Sequence, residues 1–464
     1  MRATFDLGLA RGLALLVALP LPMEGALESA RVAALAAEEA ARFTAEHPVS
    51  AAHAGRLAAH WLNGVPMHWM RDWGTPFPLI LREASGARLT DVDGCQYADF
   101  CLGDTGAMFG HSPPAVVQAV AAQAARGLTA MLPGERAAAV GEGLARLFGL
   151  PFWQMTQTAT DANRAALRWA RALTRRAQTL VFRGCYHGTV DEIMLRPGGI
   201  GAAQDAGKSA VAVEFDDLAG VESALRGGDV AALLYEPVMT NTGMVLPQPG
   251  LHSALRDLSR RHGTLLIIDE THTLSSGVGG YTRTHGLEPD LLVCGKAIAG
   301  GVPCAVYGFT AEVEARMRGV LADRHEEHGH TGMGTTLAAN PLALAALAAA
   351  LAALHTPETY TPMLTGAADL DAKLRALFAR RRPNWHVTRV GARLEIGFGE
   401  PPRNGTQAAA RMHPTLEQAM HLYLLNRGCL LTPFHNMMLY SPVTAATDAD
   451  RLVAALDACL GELA

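Results

Sequence analysis

Lysine is almost missing from this chain. Only Lys208, Lys296 and Lys373 occur among 39 basic residues, and arginine supplies the rest. Aromatic residues are scarce at 6%, charged residues make up 18%, and the net charge is −5. No global basic field exists to hold a nucleic acid. The seven cysteines, at 95, 101, 185, 294, 304, 429 and 459, form no Cys-x-x-Cys pair, and their number is odd. That pattern argues against a disulfide scaffold and a zinc site, so no metal is expected; it fits reduced thiols in a cytoplasmic compartment. Apolar runs of bilayer length are absent as well. The stretch Leu13–Leu21 is too short to span a membrane, so no membrane partner is expected. With Arg2 and Arg11 ahead of it, the stretch resembles the apolar part of a signal peptide. Asp6 and the lack of a small-x-small cleavage site favour an uncleaved cytosolic N-terminus instead.

What is present is 464 residues, 49% of them apolar, enough for two domains or one large α/β domain with an appendage. Residues 26–46 read as an amphipathic helix ended by His47-Pro48. Residues 60–78, with three tryptophans, three prolines and no clear period, read as an ordered loop, either a structural arm or a pocket wall. Leu79–Val92 and Gln96–Cys101 flank Asp93-Gly94, a tight-turn pair, and predict a hairpin. Ser112 is expected to cap a helix with Pro113 in its first turn. From 116 to 345, helical patterns alternate with apolar strands at Thr179–Phe182, Val211–Glu214, Ala231–Tyr235, Leu265–Ile268, Leu291–Cys294 and Ala305–Phe309. Such alternation predicts a mostly parallel sheet covered on both faces, with ligands at the carboxyl ends of its strands. Residues 341–356 read as a buried helix, followed by a helix over 366–381, strands near 385–398, and helices over 415–427 and 447–462. The chain therefore divides into an N-terminal extension with its helix (1–50), the first part of a smaller domain (51–115), a large domain (116–345), and the C-terminal part of the α+β smaller domain (346–464).

Lys296 follows the apolar strand Leu291–Cys294 and precedes a glycine-rich turn. An amine that must attack a carbonyl has to be unprotonated, and an apolar site disfavours the ammonium form. The alternative is a surface lysine at a strand end. Asp269 terminates a run of four apolar residues, where a carboxylate is costly unless paired. A protonated pyridine nitrogen is one suitable partner; a helix cap or an arginine is another. The segment Thr156 to Asn163 opens a long helix, and its hydroxyls and free amides suit a phosphate. It also fits a plain capping box, Thr158-x-x-Asp161. Thr335-Thr336, ahead of Asn340-Pro341, suggests a second anion contact.

The order of these pieces is specific: the hydroxyl cup, Tyr186-His187-Gly188, Glu236-Pro237, Ile-Ile-Asp269-Glu270, Lys296 after Pro289-Asp290, then Thr336 with Asn340-Pro341. From about Trp73 to the C-terminus the chain resembles the class III pyridoxal-phosphate aminotransferases of fold type I. It is most similar to the branch holding glutamate-1-semialdehyde aminomutase and β-amino-acid aminotransferases. The resemblance implies a seven-stranded, mostly parallel sheet in the large domain and pyridoxal 5'-phosphate as cofactor. It implies that Lys296 carries the cofactor as a Schiff base and that Asp269 holds the pyridine nitrogen. Tyr186, with His187 beside it, would stack on the ring, and Thr271 would pack against the other face. Thr158, Ala159 and Thr160 would hold the phosphate, Glu236 would face the ring substituents, and Thr336 would reach the phosphate of a partner subunit. That last role implies a homodimer with shared active sites. Three departures stand out. Ala159 replaces the usual glycine, which places the detailed phosphate geometry in question. Thr271-His272 replaces an aliphatic residue and its neighbour. The loop Leu431 to His435 lacks the arginine some β-amino-acid enzymes carry there.

The implied reaction moves an amino group from an amino acid or amine to a keto acid, with Lys296 as acid and base. The alternative is a 2,1-aminomutase of the glutamate-1-semialdehyde type. Arg71, beside Trp69 and Trp73, is the candidate for a substrate carboxylate or else a surface arginine. Trp73 and His435 are further candidate substrate contacts.

Overall fold

The computed structural model describes residues 23–195, 206–327 and 331–464. The apolar stretch Leu13–Leu21 lies outside the described residues. After helices Met23–Glu46 and Pro48–Leu57 come three short strands, β1 (Leu81–Ser85), β2 (Arg88–Asp91) and β3 (Gln96–Asp99). The expected first arm, Leu79–Val92, is thus itself folded in two. Gly86, at φ +57, turns β1 antiparallel onto β2, and the Asp93-Gly94 turn then leads into β3. Ser112 does not cap the next helix. It sits at φ +53, Pro113 takes the cap position, and Pro114 opens helix Pro114–Ala124. Two consecutive prolines move the start by one residue, because the first of them is itself extended at ψ 127.

The large sheet has seven strands: β4 (Phe152–Thr156), β5 (Gln178–Phe182), β6 (Ala210–Val213), β7 (Val230–Tyr235), β8 (Leu265–Asp269), β9 (Leu291–Cys294) and β10 (Ala305–Phe309). Their spatial order is β4-β10-β9-β8-β7-β5-β6. β10 runs antiparallel to both neighbours, and the other pairings are parallel. β7, β8, β9 and β10 are buried at every position, which is why they read as unbroken apolar runs. Leu234 and Ile267 pack under helix Ala159–Thr174, whose Ala162, Ala166 and Ala170 let it approach closely. Leu233, Leu266 and Ile268 point the other way, onto Leu251, Leu255 and Leu258 of helix Leu251–His262. β4 escaped the sequence reading because it is an edge strand with Gln154 exposed at its centre.

Helix Pro341–Ala353 leads into helix Pro357–Arg381, which begins nine residues before the expected 366. Thr356 caps it by accepting from Thr359 N, and Pro357 suits its first turn. Strands β11 (Trp385–Val390) and β12 (Arg393–Phe398) form a hairpin, joined by β14 (Met437–Leu439). β13 (Cys429–Leu430) pairs parallel with β3, so segments from both ends of the chain build one small domain. Helix Ala446–Glu462 closes it. Among the described residues no single helix is long and apolar enough to cross a membrane.

Candidate active site

At the carboxyl end of β8 the buried strand terminates in Asp269, 4% exposed. Its carboxylate is held on both oxygens, with Oδ1 the less engaged: Asn163 Nδ2 donates to Oδ2 at 2.9 Å, His187 Nδ1 lies 3.0 Å from Oδ2, and Thr271 N donates to Oδ1 at 3.1 Å. Burial alone would raise its pKa. The hydrogen bond and charge of His187, with the bonds from Thr271 and Asn163, prevail and hold it at about 2. Asp269 is therefore an anion at the floor of a cleft, available to a cationic N–H.

Lys296 follows β9 by two residues and opens the turn Lys296–Ala299. Its φ of +48 is costly for a residue with a side chain, about 1–3 kcal/mol. This backbone aims Nζ to within 2.7 Å of Asp104 Oδ2 and 2.8 Å of His272 Nε2. Asp104 and Thr105 are themselves held at φ +49 and +81. Burial works to raise the Asp104 carboxyl, but the charges of Lys296, His272 and Arg393 hold it well below the usual carboxylate range.

The other end of the cleft is the start of helix Ala159–Thr174. Thr158 is its cap, and its Oγ1 accepts from Asp161 N at 3.1 Å. The Thr158 side-chain cap is thus real, and Thr158, Ala159 and Thr160 at the helix start line the cleft. Thr160 Oγ1 accepts from Thr189 N at 3.2 Å. Ala159 sits at the first helical position, not at positive φ, so glycine's freedom is not needed there.

One cleft of about 340 Å³ is lined by Thr158, Ala159, Thr160, Tyr186, His187, Glu236, Asp269, Thr271 and Lys296 together. Nine sequence-nominated residues thus converge from five separate segments. Glu236 is buried and bonded to Thr240 and Asn241; burial raises its pKa against the pull of His187 and those bonds. Thr336 is exposed and lies outside this cleft. Neither Arg71 nor Trp73 lines it: Arg71 is exposed, and Trp73 packs edge-on to His421 at 5.7 Å. The tryptophan that reaches the site is Trp69, 5.5 Å from the Tyr186 ring and 5.7 Å from Phe434. His435 faces a separate small cavity, with Nδ1 3.1 Å from Glu395 Oε2.

Sequence reasoning missed Asp104, Thr105, Asn163 and Arg393. The only available signal was Gly103-Asp104-Thr105-Gly106, a polar pair between glycines inside an apolar segment. His272 was visible only as a departure.

These groups fit pyridoxal phosphate: an anion to meet a ring N–H, a lysine amine, a phosphate-suited helix start, and Thr271 Oγ1, buried on the cleft wall without a hydrogen-bond partner. The aminotransferase class-III family model matches residues 69–460. The chain is a class III aminotransferase. It is a pyridoxal-phosphate enzyme of fold type I. A glutamate-1-semialdehyde-aminomutase from Pseudomonas aeruginosa PAO1 is 48% identical, with TM-score 0.89, covering 94% of this chain and 99% of that one. One form of that enzyme is in complex with PMP. A β-phenylalanine aminotransferase from Variovorax paradoxus is 27% identical, with TM-score 0.83, covering 93% and 97%. A glutamate-1-semialdehyde 2,1-aminomutase from Sorangium cellulosum is 35% identical over 426 residues, 88% of this chain and 95% of that one.

Proposed function

We propose that this class III aminotransferase moves an amino group from an amino acid or amine to a keto acid, with Lys296 as the residue that bears the cofactor. The observation that carries this reading is the single cleft onto which Lys296 Nζ, the Asp269 carboxylate and the Thr158–Thr160 helix start all open. Pyridoxal phosphate, when bound, supplies the electron sink that stabilises a substrate carbanion. Asp269, anionic and locked by His187 and Asn163, holds the pyridine N–H. Thr158, Thr160 and the amide of Ala159 hold the phosphate. Tyr186 would stack on the ring, and Thr271 would offer its unpartnered hydroxyl to the bound group. Glu236, buried beside the ring site, sets the polarity near the reacting carbon. Lys296 Nζ, once released, takes the proton from the substrate carbon and returns it, as general base and then acid.

Arg71 is the proposed carboxylate receptor. It is exposed and two residues from Trp69, whose ring meets Tyr186 at the cleft wall. Trp73 and His435, which do not line this cleft, have no part in this reading. Thr336, exposed and away from its own cleft, suits a role at the site of a second subunit, which makes a homodimer with shared sites. The exposed apolar side chains of Trp61, Leu62, Met131 and Leu132 suit the same assembly. Seven cysteines that form no disulfide suit a cytoplasmic setting.

The second reading is a 2,1-aminomutase, favoured by the names of the relatives above. Lys296→Ala tests the shared core of both. The variant should lose the covalent cofactor band and all turnover, and wild-type activity in it would sink the assignment. Product formation without an added keto acid separates the two: an aminomutase needs no acceptor, an aminotransferase does.

A further inference from the structure

Behind Lys296 lies a chain of buried polar groups that the reaction above does not use. The His272 ring touches Lys296 Nζ with Nε2, at 2.8 Å. On its far side Nδ1 lies 3.1 Å from Arg393 Nη1 and 3.0 Å from Thr105 Oγ1. Arg393 cannot turn away. Its Nη2 donates to the Thr240 carbonyl and to Glu395 Oε1, both at 3.2 Å, and the Arg393 and Glu395 side chains are each 3% exposed.

A guanidinium carries donors and no acceptor. The nitrogen that faces it, Nδ1, must therefore present its lone pair, and the proton of a neutral ring then resides on Nε2. The ring is neutral because burial, foremost, holds His272 well below the usual histidine range. Nε2–H consequently points at Lys296 Nζ, and a hydrogen bond there requires a lone pair on Nζ. Asp104 Oδ2, 2.7 Å away, accepts one of the hydrogens of the same nitrogen.

We propose that His272 is the proton partner of Lys296: it donates Nε2–H to the lone pair of Nζ, while Asp104 accepts from the same nitrogen. This rests on the reading of Lys296 as the cofactor-bearing residue. In attack on an aldehyde, Nζ forms a C–N bond, and both amine hydrogens leave with the carbonyl oxygen as one water. An ammonium must first shed a proton. Asp104, at contact distance, accepts a hydrogen of Nζ; His272 is the group whose donor faces the lone pair that attack requires. The groups facing His272 are Asp104 and Thr105 from the loop after β3, Asp269 from β8, Lys296 from the turn after β9, and Arg393 from β12. None of the others supplies a donor to Nζ.

The test is the rate at which cofactor-free protein forms its covalent bond with added pyridoxal phosphate, followed by visible absorbance. Borohydride trapping and peptide mass place the bond on Lys296. Wild type should show a rate that changes less than about threefold between about pH 6.5 and 8.5. His272→Phe, which fills the space without a donor, should be slowed at least about tenfold at neutral pH and recover by about tenfold per pH unit. His272→Gln, which restores an N–H, should return most of the flat profile. Should His272→Phe not fold, His272→Leu takes its place. A donor-free variant within about twofold of wild type at neutral pH, or slowed by one factor at every pH, overturns the inference. Wild type that forms no bond at Lys296 overturns the parent reading, and this one with it; a bond at Lys296 with equally flat profiles in all variants overturns this one alone.

Discussion

His187 Nδ1 lies 3.0 Å from Asp269 Oδ2, with both side chains buried. The two residues are 82 positions apart and arrive from the loop after β5 and the end of β8. Each changes the other. Burial works against the charged form of both, yet Asp269 is drawn down to about 2, and His187 is raised well above its ordinary value by the Cys185 side chain and Asp269. The carboxylate is thereby kept anionic and fixed in orientation, which is what the role proposed for it, holding a ring nitrogen, requires.

This pairing has a signed pH dependence. Asp269, with a depressed value, stabilises the fold above its unfolded value near pH 4, and that contribution is lost as pH falls toward 2. His187, with a raised value, contributes fully below its unfolded value near pH 6.5, and that contribution is lost as pH rises through its folded value. The joint contribution is greatest between about pH 4 and 6.5. His187→Leu should therefore lower the unfolding free energy of the cofactor-free protein by about 3 kcal/mol at pH 6, and by less at pH 9. Urea titrations at the two pH values measure this. Equal losses at both would show that the ring serves packing and not charge.

Lys296, Asp269 and the cup were legible because each closes or opens an element whose apolar pattern is unambiguous: β9, β8 and helix Ala159–Thr174. β4 was not, since Gln154 interrupts it at an exposed edge. Ser112 carried a strong capping signal, but a backbone at φ +53 turns its hydroxyl from that task. The groups around Lys296 were hidden for another reason. Asp104 comes from 192 residues upstream, and Arg393 meets His272 from 121 residues downstream. No local period marks a charge whose partner lies in another layer of the fold.

Gly188 should prove essential to cofactor retention. It sits at φ +79, and a Cβ there would fall 2.8 Å from Thr160 Cβ, inside the cup. Gly188→Ala therefore combines backbone strain of about 1–2 kcal/mol with displacement of the Thr160 side chain, one of the groups proposed to hold the phosphate. The expected result is at least about a tenfold rise in the Kd for pyridoxal phosphate, which corresponds to about 1.4 kcal/mol. Gly243→Ala is the matched control: φ is +76, but nothing lies within 4 Å of the added atom. It should lower stability and leave that Kd within about threefold. If both variants lose cofactor alike, strain and not the Thr160 contact is responsible.

Ala159, the departure from the family's glycine, has a complement in Gly295. A Cβ on Gly295 would stand 2.9 Å from Ala159 Cβ and 3.3 Å from Ala159 N, so the residue that precedes Lys296 is kept bare by the one that opens the cup helix. Gly295 has φ −133, so space and not backbone freedom excludes a side chain there. Gly295→Ala should cost about 1–3 kcal/mol through overpacking. Ala159→Gly alone should cost at most about 1 kcal/mol, the loss of alanine's helical preference. In the double variant the obstructing methyl is gone, so the two costs should fall short of their sum by about 1 kcal/mol. Thermal unfolding of the four cofactor-free proteins gives this coupling directly. Costs that add to within about 0.3 kcal/mol would mean that the Ala159 backbone, and not its methyl, keeps position 295 bare; the alanine in the cup would then be a neutral replacement and not half of a fitted pair.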